Sequence, residues 1–208
     1  MPKQPSNNRK LLGLFLVGGN SSRMKQPKAL LLYNQVPQWQ RALSLLEPFC
    51  DHILISVQPE NATFWQSQIP QAECLIDNPE WGQRGPATVF FTLNQYLQKN
   101  PESYNGILVM GCDYPLLQAK SIQQLLDAPA PVCFQNPNDV KPEPLIALYT
   151  PEILNDYARA YEKDPALSPR KFFHDWPIFM VKNNQPEELL SVDTPEMYQK
   201  IAAVMQKF

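Results

Sequence analysis

Short apolar runs and amphipathic stretches take turns along most of the chain. LGLFLV (12–17), HILISV (52–57), ECLI (73–76), GILVMG (106–111) and PVCF (131–134) are continuous rather than alternating in polarity. A strand with one face in water would alternate, so continuous runs predict strands covered on both faces, as in a parallel sheet. Between them, Gln38–Glu47, Glu60–Gln68, Pro86–Gln98 and Ala119–Leu126 are amphipathic and predict helices. Prolines mark the expected starts: Pro86 follows Gly85, Pro151 follows Thr150 and Pro195 follows Thr194. Proline at a first helical position loses no intrahelical hydrogen bond. The β-α-β alternation predicts an α/β domain in three layers, α/β/α, with a mostly parallel central sheet and right-handed crossovers. No repeat, low-complexity stretch or linker interrupts it, so a single domain over residues 11–208 is expected behind a disordered polar tail, residues 1–10. Open sheets of this kind bind ligands beyond the carboxyl ends of their strands. Two chemically loaded turns leave such ends: Gly18-Gly19 after the first run and Cys112-Asp113 after GILVMG.

Composition narrows the function classes. With 44% hydrophobic and 18% charged residues, the chain has the balance of a folded globular protein. A formal charge of -2 supplies no general attraction to nucleic acid or to anionic membrane, so neither is expected as a partner. Any anion must be held by a local constellation. Cys50, Cys74, Cys112 and Cys133 include no C-x-x-C pair, and only two histidines are present, so zinc-ligand spacing is absent. Four reduced thiols and a cytoplasmic location are the expectation. Lys3, Arg9 and Lys10 before Leu11–Val17 imitate a secretory leader, but that apolar run is short, contains a glycine and lacks a small-residue cleavage pattern. No segment approaches the roughly 20 apolar residues that span a bilayer.

The first turn carries the most chemistry. Only 7 glycines occur in 208 residues, and two stand together at Gly18-Gly19, directly before Ser22, Arg23 and Lys28. Glycines allow the backbone to approach a ligand and aim its N–H groups at an anion. Arg23 offers a bidentate fork for phosphate oxygens, and Lys28 a point charge. A Walker A loop is excluded, since the residue immediately before Lys28 is Pro27 and not glycine, and a G-x-G-x-x-G dinucleotide fingerprint is incomplete. Taken alone the segment also reads as a solvated turn with ordinary basic residues. Its place after a buried strand favours a phosphate loop.

LVGGNSSRMKQPKALL resembles the nucleotide-binding signature of the molybdenum cofactor nucleotidyltransferases, L-A-[AG]-G-x-S-x-R-M-G-x-x-K-x-L-L. DNPEWGQRGPATVFFTL is similar to that family's D…GP segment and following helix, MGCDYPLL to its C-D-x-P turn, KPEPLIALY to its central strand and SVDTPEMY to its last helix start. The matches keep the family's order over roughly residues 11 to 200. The resemblance implies a Rossmann-like nucleotidyltransferase fold and transfer of a nucleoside monophosphate, GMP from GTP in the guanylyl branch, to a phosphorylated acceptor of molybdopterin type, with Mg²⁺ as cofactor. It implies Arg23, Lys28 and Asp113 as catalytic residues. Leu16, Val17, Gly18, Gly19, Ser22, Ser56, Asp77, Gly85 and Pro86 would complete the nucleotide site, and Asp113 and Asp193 would hold the metal.

Other readings stay open at this point. Asp113 also reads as a cap of the turn before Tyr114-Pro115, and Asp193 as part of an ordinary D-T-P helix start. Gly-Gly resembles the guanylyl members, whereas Pro27 and Asp193 resemble cytidylyl and sugar-phosphate transferases. Ser56 stands where guanylyl members have asparagine. Lys25 replaces the family glycine after the methionine, which leaves a non-catalytic nucleotide-binding paralogue as the alternative outside enzymes. A monomer or weak homo-oligomer is expected. His174, Phe90-Phe91, Phe172-Phe173 and Cys112 read as structural residues, and Arg170-Lys171 as a solvated helix face or a greeting for an anionic acceptor.

Overall fold

The structure is a computed structural model, and it describes residues 10–17, 24, 26–78, 85–101 and 103–206. Its centre is a seven-stranded sheet. The strands are β1 (Leu11–Leu16), β4 (His52–Val57), β5 (Glu73–Ile76), β6 (Gly106–Gly111), β7 (Val132–Gln135), β8 (Pro142–Tyr149) and β9 (Phe179–Val181), in the order β5-β4-β1-β6-β8-β7-β9. A small hairpin, β2 (Leu32–Tyr33) and β3 (Val36–Pro37), stands apart. All strand pairs from β5 to β6 are parallel; β8 alone runs against its neighbours β6 and β7, and β9 is again parallel to β7. The reversal of β8 brings its first residues, Pro142 to Leu145, to the rim where β1, β4 and β6 end.

The predicted double-sided burial is present. All six residues of β1 and of β6 are buried. Leu11 and Phe15 turn to one face, where α1 (Gln38–Leu46), α2 (Ala62–Gln68) and α4 (Ala119–Asp127) close one core. Leu12, Leu14 and Leu16 turn to the other, under α3 (Pro86–Lys99), α5 (Pro151–Lys163) and α6 (Pro169–Asp175). Phe90 centres an aromatic cluster there, with its ring 5.5 Å from Tyr149, 5.8 Å from Tyr157 and 5.9 Å from Phe173. Edge-to-face pairs at such spacings add to the burial energy of the rings themselves. Both phenylalanine pairs are therefore core, as their sequence suggested.

The last helix, α7 (Pro195–Met205), closes a third cluster. Ile201 and Met205 pack with Tyr33, Leu31, Met24 and Val192. Its start is fixed by sequence: Thr194 is the N-cap and its hydroxyl accepts from Met197 N at 3.3 Å, with Pro195 in the first turn. The hairpin and the turn Lys28–Leu30 lie between this helix and α1, where the Gln38 amide donates to Leu31 O at 2.8 Å. Lys28 and Asp193, far apart in sequence, are thus delivered to one place by packing around Tyr33.

Candidate active site

Three strands end level with one another. Leu16 pairs in register with Ser56 of β4 on one side and Gly111 of β6 on the other. The Cys112 amide continues the ladder by donating to Leu16 O at 3.2 Å, and Asp113 follows it out over the rim. Asp113 is anchored by its own carbonyl, which accepts from Val192 N at 2.9 Å. This bond brings the segment leading to Asp193 alongside it.

Lys28 joins the two acids. Its Nζ lies 3.0 Å from Asp113 Oδ2 and 2.5 Å from Asp193 Oδ1. The Lys28 side chain is 15% exposed, against 26% for Asp113 and 50% for Asp193. Burial pulls the lysine pKa down, but the charge of Asp113 and hydrogen bonds to both carboxylates outweigh it and raise the pKa, so the amine stays an ammonium. Asp193 is oriented in turn by Ser191, whose hydroxyl donates to Oδ2 at 2.9 Å. Cys112 is buried, its thiol pushed well up by burial, and it packs against Asp113 with Sγ 3.3 Å from Oδ1.

A second pair forms where β4 and β5 end. Ser56 is buried and its hydroxyl donates to Asp77 Oδ1 at 3.3 Å, while Asp77 N donates to Val57 O at 2.9 Å. Burial raises the Asp77 pKa to about 6, and the Ser56 hydrogen bond works against that rise. On the other side of Asp113, Gly85 caps α3 with φ +63° and ψ −139°, a conformation that side-chain-bearing residues rarely adopt. There Pro86 and Ala87 line a cleft of about 540 Å³ together with Pro144, Leu145, Ala166 and Arg170. Leu145 packs directly on Gly111, where a Cβ would lie 3.3 Å from its own. Arg170 is held from behind by buried Glu143 at 2.9 Å and by Pro142 O at 3.2 Å.

The expected residues therefore fall in three groups along one rim: Ser56 with Asp77, Lys28 with Asp113 and Asp193, and Gly85-Pro86 at the cleft. Leu16 and Val17 are buried at the end of β1 between the first two. Gly18, Gly19, Ser22, Arg23 and Lys25 lie outside the described residues. Ser191 has no chemical signature in sequence, and only the fold reveals it. His174 is exposed near the C-terminal end of α6.

A central strand ending in a loaded turn, an ammonium shared by two carboxylates and a reversed strand beside them form a recognisable set. Residues 13–177 match the model of the MobA-like NTP transferase domain. The chain belongs to that family. Within it, the chain is 28% identical over 199 residues to the molybdenum cofactor biosynthesis bifunctional protein of Synechocystis sp., a match covering 92% of this chain and 53% of that protein. It spans about half the length of that relative. A probable molybdenum cofactor guanylyltransferase of Synechococcus elongatus is 29% identical over 202 residues, covering 90% of this chain and 96% of that one. Among solved structures, molybdopterin-guanine dinucleotide biosynthesis protein A from Archaeoglobus fulgidus superposes with a TM-score of 0.70 at 15% identity. That superposition covers 95% of this chain and 100% of the other, and it establishes a shared nucleotidyltransferase fold.

Proposed function

We propose that this MobA-like chain transfers GMP from GTP to the terminal phosphate of a molybdopterin-type acceptor, releasing pyrophosphate. The observation that carries the reading is the Lys28 ammonium shared by Asp113 and Asp193 at the carboxyl rim. Relatives named as guanylyltransferases favour GTP among the nucleotides and molybdopterin as acceptor. In the reaction an oxygen of the acceptor phosphate forms a bond to the α-phosphorus of the triphosphate, and the bond from that phosphorus to the β-phosphate oxygen breaks. Both partners are anions, so catalysis rests on alignment and charge neutralisation.

The residues fit a magnesium ion. Mg²⁺ prefers hard oxygen ligands, typically one or two carboxylates together with substrate phosphates and water. Asp113 and Asp193 supply two carboxylates, and no group of three or more potential protein ligands occurs among the described residues. When bound there, the ion neutralises phosphate charge and polarises the phosphoryl group under attack. Lys28 then grips triphosphate oxygens, with Arg23 and the backbone of Gly18 and Gly19 as further phosphate donors. Asp77 and Ser56 flank the nucleoside, alongside Leu16 and Val17. The acceptor lies on the opposite side of Asp113, its body in the cleft walled by Pro86, Pro144 and Leu145. That division leaves the two phosphates to meet over the end of β6.

The test is thermal unfolding with GTP, CTP, ATP or UTP, each with and without Mg²⁺. A ligand at 100 times its dissociation constant adds about 2.7 kcal/mol, which moves the midpoint of a domain of this size by roughly 5–10 °C. A magnesium-dependent shift for GTP alone is expected, followed by turnover with molybdopterin. A shift for CTP alone would move the assignment to cytidylyl transfer. No shift with any nucleotide would leave a chain that has lost its triphosphate site.

A further inference from the structure

The turn that carries Asp113 is held by a residue with no place in the chemistry above. Residues 112–117 leave β6, double back at Tyr114-Pro115 and enter α4. Within the turn the Leu117 amide donates to Tyr114 O at 3.3 Å. Besides the Cys112–Leu16 ladder bond and the Lys28 pair, two hydrogen bonds to its backbone carbonyls fasten it to other elements. Val192 N donates to Asp113 O, and Arg41 Nη2 of α1 donates to Pro115 O at 3.2 Å. The Arg41 guanidinium is half-buried, burial lowers its pKa, and its Nε is buried with no partner among the described residues. A guanidinium placed so uses charge to secure a neutral carbonyl, at the expense of hydration it does not fully recover.

The helix that bears Arg41 also fixes Lys28. α1 packs on the turn Lys28–Leu30, and its first amide, Gln38 N, bonds Leu31 O at 2.8 Å. Both members of the 3.0 Å Lys28–Asp113 pair are therefore referenced to a single rigid helix. We infer that Arg41 is a positioning residue that sets the Asp113 carboxylate for the metal by clamping Pro115 O to α1. This inference rests on Asp113 being the metal-binding carboxylate proposed above. It predicts that Arg41 acts through the geometry of the acid and touches neither substrate. Outer partners that orient metal ligands commonly contribute about 10–100-fold to metal affinity or activity.

Arg41→Met keeps the length and apolar stem and removes the donors; Arg41→Lys restores one donor. Three measurements are made on the full chain: amide hydrogen exchange without metal, Mn²⁺ affinity in the presence of GTP, and steady-state kinetics with GTP and molybdopterin. In Arg41→Met, exchange at the Val192 amide accelerates while the amides of β1 and β6 keep their protection. Mn²⁺ affinity and kcat each fall about 10–100-fold, with KM for GTP within about twofold. Arg41→Lys recovers part of both. Wild-type Val192 protection together with wild-type Mn²⁺ affinity in Arg41→Met overturns the inference. Uniform loss of protection across the sheet, with kcat falling only as the folded fraction falls, overturns it too, because Arg41 is then a fold residue. Asp113→Asn separates this from the reading it rests on. If that variant stays active, the metal assignment itself fails; if it is inactive while Arg41→Met behaves as wild type, only the role of Arg41 fails.

Discussion

An ammonium at 15% side-chain exposure has given up much of its hydration, and at Lys28 two carboxylates return it. The same arithmetic makes Asp113 the informative position to change. Asp113→Asn keeps the size and removes the charge, so magnesium-dependent transfer should fall on the order of 10²–10³-fold, as when a transition-state charge partner is lost. The midpoint of unfolding should move by no more than about 2–4 °C, the shift from about 1 kcal/mol in a domain of this size. Asp77 predicts a pH effect of opposite sense to an ordinary salt-bridged acid. Its folded pKa, about 6, lies above its unfolded value, so the folded state binds the extra proton. Stability is fully favoured below about pH 4 with respect to this group and is lost as pH rises through about 6. After discounting for partial exposure, the span is on the order of 2 kcal/mol. In Asp77→Asn that slope between pH 4 and 6 should flatten, as measured by denaturant unfolding across pH. Lys28 and Asp113 were legible in sequence because each stands at a fixed offset from a buried run. Ser191 and Arg41 were not, since a serine in a loop and an arginine on an amphipathic helix look like solvated surface until packing turns them inward.

At the scale of elements, the strands that the apolar runs predicted are present within a residue of their expected ends, as are three of the four helices; α2 starts two residues late because Pro59–Asn61 forms a separate 3-10 turn. β9 escaped because it is three residues long and exposes Phe179 and Met180; pairing with β7, not a hydrophobic pattern, makes it a strand. The bounds of α6, foreshadowed only by the helix face read at Arg170-Lys171, escaped for a similar reason: it is a single short helix started by Ser168, whose hydroxyl accepts from Lys171 N at 3.2 Å. The sense of β8 was equally hidden, because a strand buried on both faces shows the same apolar pattern whichever way it runs. Helix α7 makes a sharper point, since its cap adjoins Asp193. Thr194→Ala should cost about 1 kcal/mol by leaving the Met197 amide without its acceptor. If the cap also fixes Asp193, apparent Mg²⁺ affinity should drop in the same variant; calorimetry and magnesium titration of the transfer rate report the two effects separately.

The molecule as a whole places the Ser56–Asp77 pair and the Pro86 cleft on either side of Asp113. No local pattern announces the cleft, because its walls come from residues 86, 144 and 166, which only the sheet order brings together. Ala166 is exposed on its lip, so Ala166→Trp fills space without disturbing a core. KM for molybdopterin should rise about tenfold or more, an amount within what excluding an apolar contact surface can exert. The GTP-induced thermal shift should stay as in the wild type; unchanged acceptor kinetics would remove the acceptor from the cleft. No helix among the described residues is long and apolar enough to cross a membrane, and all four cysteines are free thiols. The ion pairs of Lys28 carry a last consequence, one that concerns scarcity. Two acids facing each other with nothing between them would strain the rim whenever divalent ions ran short. A tethered cation offsets that repulsion from within the chain, so in the proposed reaction magnesium would be called for only when a triphosphate arrived and drew the ammonium to itself.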